Sequence, residues 1–408
     1  MKCRHCGAEV SLTLIDLGSA PPSNAYLTKL TLRRPEKWFP LKVLVCESCW
    51  LVQAEAYSRA AELFNEEYAY FSSFSDQWLK HASNYVESMV NRFSLGQDNH
   101  VVEIASNDGY LLQYVNQRAI PCLGIEPTAG TAMAAQQKGI ETVQDFFCSS
   151  LAKQLASHGK QADLMIANNV LAHVPDINDF AQGFAVLLKP YGVATFEFPH
   201  LMHLIEQKQF DTIYHEHFSY LSFTTVCRIF AVNGLTVFDV EELETHGGSL
   251  RVFAQRTDTG SHPVCTHVAE LLERESVAGM NHSSYYDGFQ EQANKVKNDF
   301  LTFLLEVRRQ NKIVAGYGAA AKGNTLMNYA GIRSDLIPFV VDRNPAKQGK
   351  FMPGSRIPIV TEARIYEEKP DYILILPWNL KVEIMDQLDY IREWGGRFIV
   401  VLPYLEIH

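Results

Sequence analysis

The sequence predicts an α/β protein in three parts: a small metal-binding module, followed by two domains in which strands alternate with helices. Three observations predict it. Cysteines come in two CxxC pairs, "CRHC" and "CESC", near the start; a strand–turn–helix pattern begins near residue 101; and a second one begins near residue 313. Alternating strands and helices imply a mostly parallel sheet, with its ligand crevice at the carboxyl ends of the strands. At 408 residues the chain is too long for one typical core. The expected domains are 1–65, 66–260 and 261–408.

The four paired cysteines, Cys3, Cys6, Cys46 and Cys49, justify the first part. Two such knuckles place four thiolates where a tetrahedral zinc ion collects them, and in a reducing compartment metal ligation is favoured over disulfides. Four protein ligands leave no open coordination position, so the expected role is structural. His5 lies inside the first knuckle as a bystander, and Cys122, Cys148, Cys227 and Cys265 have no such spacing. Between the pairs, "LIDLGSAPPSNAYL" is expected to loop out.

Composition narrows the function. With 47% hydrophobic and 20% charged residues the chain is an ordinary globular protein, and its net charge of -10 argues against a nucleic-acid-coating surface. "MKCRHCGAEV" lacks the apolar core of a signal peptide, and the runs "YILILPW" and "RFIVVLPYL" are too short to cross a bilayer. The expected setting is cytoplasmic, with a small-molecule substrate and neither a nucleic-acid nor a membrane partner.

The second part opens with a helix. From Trp78 the apolar positions Ala82, Tyr85, Val86, Met89, Val90 and Phe93 recur at helical spacing, after Ser75 and Asp76 as caps. "HVVEIASNDGYLLQYV" then gives a strand, a turn with Asn107, Asp108 and Gly109, and a helix, and "CLGIEPT" gives a strand ending in Glu126. An acid roughly twenty residues after the first turn can accept hydrogen bonds from both ribose hydroxyls of an adenosine cofactor. A dinucleotide turn needs several glycines for close approach of the pyrophosphate. This one has only Gly109 and is acidic, so a diphosphate is repelled and a cationic methionine sulfonium is welcome beside Glu103 and Asp108. The plain alternative is an acidic loop capping a helix. Further strands are "ADLMIANNVLAHV" and "GVATFEFPHL", with Asn168 and Asn169 expected to position the cofactor or shape the loop.

In their order along the chain these features resemble the S-adenosylmethionine-dependent sugar C-methyltransferases that act on nucleotide-linked keto-deoxysugars in bacterial biosynthesis. The resemblance runs from the cysteine pairs through "EIASNDGYLL", "GIEP", "NNVLAHVPD" and "YHEHFSYLS" to "HGGSLRV" and "GYGAAAKGNTLMN". It implies an N-terminal zinc-binding domain, a central Rossmann-like class I methyltransferase domain and a C-terminal Rossmann-like domain, with the sugar between the last two. Ala105 and Ser106 stand where many methyltransferases outside this family have glycine. The implied cofactor contacts are Glu103, Asn107, Asp108, Gly109, Glu126 and Asn168.

Methylating carbon requires removal of a proton next to a carbonyl, and histidine is the natural base because its unperturbed pKa lies near the operating pH. The stretch "FDTIYHEHFSYLS" supplies two histidines. On a helix Tyr214 and His217 share a face; on a strand His215 and His217 share one, and Tyr214 and Glu216 the other. The resemblance assigns His217 as base, Glu216 as its orienting or substrate-binding partner, and Tyr214 as a donor near the sulfonium or keto group. His173 is placed to donate to the enolate oxygen, and Tyr68, ahead of Tyr70, to close the site. Two alternatives stay open: a second metal site of His215, Glu216 and His217, and a purely structural polar cluster.

The third part follows a helical stretch, "ANKVKNDFLTFLLEVRRQNK", and opens with "IVAGYGAAAKGNTLMN", whose Gly316 and Gly318 form a Gly-x-Gly turn; Asp342 ends the next strand. By itself this is a dinucleotide fingerprint, so an NAD-dependent oxidoreductase acting on a nucleotide sugar is the alternative function. Beside a sulfonium-type turn upstream, it reads instead as a site for the phosphate or sugar of a nucleotide sugar, with Lys322 and Asn324 as contacts. In "HGGSLRV", His246 and Arg251 face the ligand or simply lead into a strand, and "ILPWNL" ends a strand at the crevice.

Overall fold

The computed structural model describes residues 1–55, 57 and 71–408 and contains three sheets. The first begins with antiparallel strands β1 (Leu12–Ala20), β2 (Phe39–Val45) and β3 (Val52–Ala54). Much of "LIDLGSAPPSNAYL" is therefore strand, and the chain loops out only from Pro21. Two irregularities in the β1–β2 register break the alternation, so the neighbours Leu14 and Ile15 are both buried. A strict two-residue period is what identifies a half-buried strand, and bulges erase it.

Helix α1 (Asp76–Phe93) forms where its periodicity predicts. The Ser75 side chain accepts the Trp78 N–H at 3.2 Å, satisfying one of the unpaired donors of the first turn. Ala82, Tyr85, Val86 and Met89 pack in one cluster with Val101, Leu164, Val193 and Phe253. The helix thus lies across the central sheet, whose strands are β4 (Val101–Ile104), β5 (Cys122–Ile125), β6 (Thr142–Val143), β7 (Ala162–Asn168) and β8 (Leu188–Pro199). Helix α2 (Leu112–Asn116) follows the turn after β4.

The short strand β9 (Ser219–Tyr220) leaves this domain and pairs with β3, with Val52 opposite Tyr220 and Gln53 opposite Ser219. The chain then returns through α3 (Phe223–Val232) to β10 (Leu235–Leu243) and β11 (Ser249–Arg256). Strand order in the central sheet is β10-β11-β8-β7-β4-β5-β6, with β11 antiparallel to both neighbours and the other pairs parallel. The loops after β4, β5 and β7 therefore meet at one rim.

Helices α4 (Thr266–Ala278) and α5 (Phe289–Arg309) lead to the third sheet. Buried Glu275 on α4 accepts the Phe223 and Thr224 N–H groups at 2.6 and 2.7 Å and meets His200 at 2.7 Å, tying the start of α3 to the end of β8. Next come β12 (Val314–Tyr317), α6 (Ala321–Tyr329), β13 (Val340–Val341), β14 (Ile359–Val360), β15 (Tyr372–Ile375), β16 (Arg397–Val400) and β17 (Glu406–Ile407). Their order is β14-β13-β12-β15-β16-β17, parallel except for β17.

The modules share cores. Cys46 and Leu51, in the turn between β2 and β3, cluster with Val102 and Leu123 of the second sheet, while Leu14, Val43 and Val52 cluster with Phe300 and Val314. The expected boundary at 65/66 lies outside the described residues; that at 260/261 falls between β11 and α4. Among the described residues no helix is long and apolar enough to cross a membrane. Replacing Ser75 with Ala removes the cap of α1 and is expected to lower unfolding stability by about 1 kcal/mol in a urea titration.

Candidate active site

The metal site is built by two turns of the first module. The sulfurs of Cys3, Cys6, Cys46 and Cys49 lie within 4.8 Å of one another, with Cys3–Cys49 at 3.5 Å and Cys6–Cys46 at 3.6 Å. A tetrahedron with Zn–S near 2.3 Å has edges of about 3.8 Å, so the cluster fits zinc. Gln53 on β3 donates to the Cys3 sulfur at 3.3 Å, a partner of the kind that tunes and orients a thiolate ligand. His5 is not a ligand: its Nδ1 meets the Asn178 side chain at 2.8 Å. Among the described residues this is the one cluster able to hold a metal, so His215, Glu216 and His217 do not form a second.

The turn after β4 is shaped by three left-handed residues, Ala105, Asn107 and Gly109. Gly109 is required: at φ +74°, a Cβ there would sit 2.4 Å from the Ile140 side chain. Glu126, just past β5, accepts the Asn107 and Thr128 N–H groups at 2.9 Å each and so locks this turn to the next. Buried Glu103 has its proton affinity raised well above the usual carboxylate range by desolvation, and its Oε2 has no partner within the chain. The same holds for Ser106 Oγ, Asp108 Oδ1 and both amide atoms of Asn168 at the end of β7. Buried polar atoms normally have partners. These open ones gather at the strand ends, where a ligand with several donors and acceptors would satisfy them. Lys138 reaches Asp108 Oδ2 at 3.3 Å, and Asn107 Oδ1 accepts the Ser72 N–H at 2.9 Å. Ser72 thus sits close over the turn. Tyr68 and Tyr70, which precede it, lie outside the described residues.

"YHEH" is neither helix nor strand. The His217 N–H bonds the Tyr214 carbonyl at 2.9 Å, a tight turn that points the two histidines apart. His215 reaches the Phe39 and Pro40 carbonyls at 3.3 and 3.2 Å, away from the crevice. His217 Nδ1 lies 2.8 Å from the Thr212 carbonyl, which only accepts, so the neutral ring carries its proton on Nδ1 and a lone pair on Nε2. His173 Nδ1 meets the Glu216 carbonyl at 2.9 Å in the same way, and the two rings touch edge to face at 4.6 Å. The Tyr214 ring lies 3.9 Å from that of His217. Burial, with the His173 ring alongside, pushes the His217 pKa well below its ordinary value; burial takes His173 to about 4. Glu216 moves the other way, raised by burial, with Oε1 accepting Asn24 at 3.1 Å and Oε2 buried without a partner.

The C-terminal turn faces the same region. At Gly318 the φ is +84° and a Cβ would lie 2.6 Å from Pro377. Asp342 Oδ2 accepts the Ala319 N–H at 2.7 Å, and the Ala319 carbonyl accepts both the Tyr26 hydroxyl at 2.6 Å and Lys347 at 2.9 Å. The N-terminal loop therefore covers this turn. Asn324 donates to the Ser23 carbonyl at 2.7 Å, leaving its buried Oδ1 open. Lys322 lies 4.4 Å from the centre of the Trp378 ring, donates to Asn379 at 2.7 Å, and has its pKa lowered by desolvation. Trp378 in turn donates to buried Asp211 at 2.7 Å, and burial raises Asp211 to about 6.

Arg251 is placed in a buried ion network. It reaches Glu197 Oε1 and Glu241 Oε2 at 2.7 and 2.9 Å and lies over the Tyr85 ring. Its contribution to the site is a fixed Glu197, whose Oε2 meets His81 at 2.8 Å. Burial alone would raise Glu197; His81 and Arg251 outweigh it and hold the carboxyl below its usual range. His246 stands in the turn before β11, with Nε2 3.3 Å from the Asn169 amide nitrogen.

Residues 3–64 match a family described as a zinc binding domain, 78–240 a methyltransferase domain, and 244–403 the C-methyltransferase C-terminal domain. Over 402 residues the chain is 36% identical to the C-methyltransferase NovU of Streptomyces niveus, covering 98% of this chain and 95% of that relative. The chain belongs to the S-adenosylmethionine-dependent C-methyltransferase family. Among solved structures, the magnesium protoporphyrin IX methyltransferase ChlM of Synechocystis PCC 6803 matches at 17% identity and TM-score 0.35, over 44% of this chain and 83% of that one. PH0226 of Pyrococcus horikoshii OT3 matches at 13% and 0.39, over 49% and 100%. Scores this low carry no argument about the site.

The C-methyltransferase thus takes S-adenosylmethionine and zinc, and no oxidoreductase chemistry is needed at the C-terminal turn. Asn24, Asp211 and Glu197 join the site without having been singled out from the sequence. Asp211 lies within the titratable stretch "FDTIYHEHFSYLS", and Glu197 stands as an acid inside the apolar run "ATFEFP". Replacing Glu126 with Ala should weaken S-adenosylhomocysteine binding about 10- to 100-fold by calorimetry, since the acceptor holding two N–H groups of the turn is lost. Cys49→Ser should release zinc, measured by metal analysis, and lower turnover while S-adenosylhomocysteine affinity stays within a few-fold.

Proposed function

We propose that this C-methyltransferase acts in the cytoplasm on a nucleotide-linked keto-deoxysugar, removing a proton from the carbon next to the keto group and methylating the enolate. The observation that carries the reading is the bond from His217 Nδ1 to the Thr212 carbonyl. It fixes the ring so that Nε2 presents a lone pair, and burial keeps that ring neutral. A base for carbon acids needs both properties.

S-adenosylmethionine, when bound, supplies an electrophilic methyl group on a sulfonium. Glu126, Asn107, Asp108, Gly109 and Asn168 are the residues proposed to hold it, with the Glu103 carboxyl at the base of the turn. His217 Nε2 takes the proton from carbon and becomes an imidazolium, while the C–H electron pair passes into the enolate. Glu216, whose carboxyl Asn24 orients and whose Oε2 is open, is the residue proposed to face the sugar. Tyr214, packed on the His217 ring, limits its rotation. After methyl transfer His217 returns its proton to solvent. The low dielectric of this buried turn strengthens each of these interactions.

The nucleotide is proposed to lie against the C-terminal domain, where Lys322 is a cation held in place by Trp378 and Asn379 and Asn324 keeps an open acceptor. The relative NovU is named a C-methyltransferase, which supports carbon as the acceptor.

Replacing His217 with Asn is expected to lower turnover about 10²- to 10⁴-fold while S-adenosylhomocysteine binding stays within twofold. Normal turnover would remove His217 from the base role. The pH profile gives a second check. Because the His217 pKa is depressed, the neutral, base-competent ring persists as pH falls, so the acid limb of kcat/KM should lie below pH 6.5. An acid limb above that value would place the base on another group.

A further inference from the structure

His246 is a half-buried histidine that the mechanism above does not use. It sits in the turn Thr245–Gly247 at φ 56°, a conformation uncommon for a residue with a side chain. The two glycines after it admit no Cβ: one at Gly247 would lie 2.4 Å from Trp378, and one at Gly248 would lie 2.6 Å from His203. Gln209 holds the Gly247 carbonyl at 2.8 Å. The ring packs 5.2 Å from that of Trp78. Its position is therefore fixed from several sides.

Its polarity is opposite to that of the other two histidines. His217 and His173 each direct Nδ1 to a backbone carbonyl, so in the neutral ring the lone pair is on Nε2. At His246 the neighbour is the Asn169 amide nitrogen, which only donates, 3.3 Å from Nε2. Nε2 must accept, and the neutral ring carries its proton on Nδ1. Asn169 is itself held at φ 56°, at the end of β7, by a 2.7 Å bond from its N–H to the Glu197 carbonyl. Desolvation, then the charge of Lys322, takes the His246 pKa to about 4, so the ring is neutral.

We propose that His246 is a catalytic residue that donates its Nδ1–H to the keto oxygen of the substrate, and that Asn169 is a positioning residue that fixes the tautomer. This rests on the proposed keto substrate. As His217 Nε2 takes the proton from carbon, the C–H pair moves to the enolate and negative charge grows on oxygen. A neutral N–H strengthens its hydrogen bond to that oxygen without giving up its proton. Methyl transfer to carbon then restores the carbonyl. A lone pair facing the same oxygen would repel it.

The test uses the full-length zinc-loaded enzyme labelled with ¹⁵N-histidine, with the His246 signals assigned by their loss in His246→Gln. The expected spectrum has a protonated Nδ1 and a bare Nε2; in Asn169→Asp, whose carboxylate accepts, the proton moves to Nε2. A wild-type ring protonated on Nε2 overturns the inference whatever the substrate is. Deuterium uptake next to the carbonyl is then followed with S-adenosylhomocysteine bound, using uridine- and thymidine-diphosphate 4-keto-6-deoxyhexoses as probes. Uptake should fall about 10²- to 10³-fold in His246→Gln and Asn169→Asp, with S-adenosylhomocysteine affinity within twofold. His246→Asn, whose amide lies near the Nδ1 position, should retain more activity than His246→Gln. Wild-type uptake in both His246→Gln and Asn169→Asp overturns the role of His246. If the wild type exchanges neither probe, the substrate proposal fails instead, and the tautomer alone decides the inference.

Discussion

The turn at residues 213–218 is fastened from all three modules, and the direction of each of its side chains depends on that fastening. Thr325 of α6 donates to the Ile213 carbonyl at 2.8 Å; the Phe218 N–H bonds the Ala172 carbonyl beside β7 at 2.8 Å; and the Ala54 N–H of the zinc module bonds the Phe218 carbonyl at 3.1 Å. Arg4, between the first two zinc ligands, packs over the Phe218 ring and reaches the Ala54 carbonyl at 2.8 Å. Backbone polar groups need partners, and here each partner comes from a different part of the chain. The side chains of the turn are consequently aimed by long-range contacts.

This arrangement gives the zinc a reason. Its four thiolates complete a tetrahedron and leave no position for chemistry, yet the module they hold supplies β3 to pair with β9, the β2 carbonyls that receive His215, and Asn24 at Glu216. A small module without a large core of its own gains folding free energy from metal. It gains further from clusters shared with both larger domains. The same loop that brings Asn24 also places Tyr26 on the Ala319 carbonyl, closing the C-terminal glycine turn from outside.

Desolvation sets the electrostatics. Burial keeps histidines neutral and carboxyl groups reluctant to ionise, so His217, His173 and His246 are all depressed while Glu103, Glu216 and Asp211 are all raised. Which nitrogen of each neutral ring carries the proton is then decided by one neighbouring atom, a carbonyl for two of them and an amide nitrogen for the third. A single hydrogen bond thereby decides which nitrogen of each ring is bare.

The sequence by itself determined what local pattern can encode. The cysteine spacing announced the zinc site, a 3.6-residue period and a serine cap announced α1, and the acidic turn at Asn107–Gly109 with Glu126 announced a cofactor other than a dinucleotide. Each depends on residues close in sequence, or on spacings that a known chemistry imposes. The tertiary structure decided the rest. Whether "YHEH" was helix or strand could not be read, because it is a turn held by partners far away in sequence. Glu197 binds Arg251, Asn24 meets Glu216 and Trp378 meets Asp211 across 54, 192 and 167 positions respectively, and no period or motif records such pairings. The sequence named the histidines, but only the folded chain, by setting one neighbour against each ring, decided which nitrogen of each is engaged.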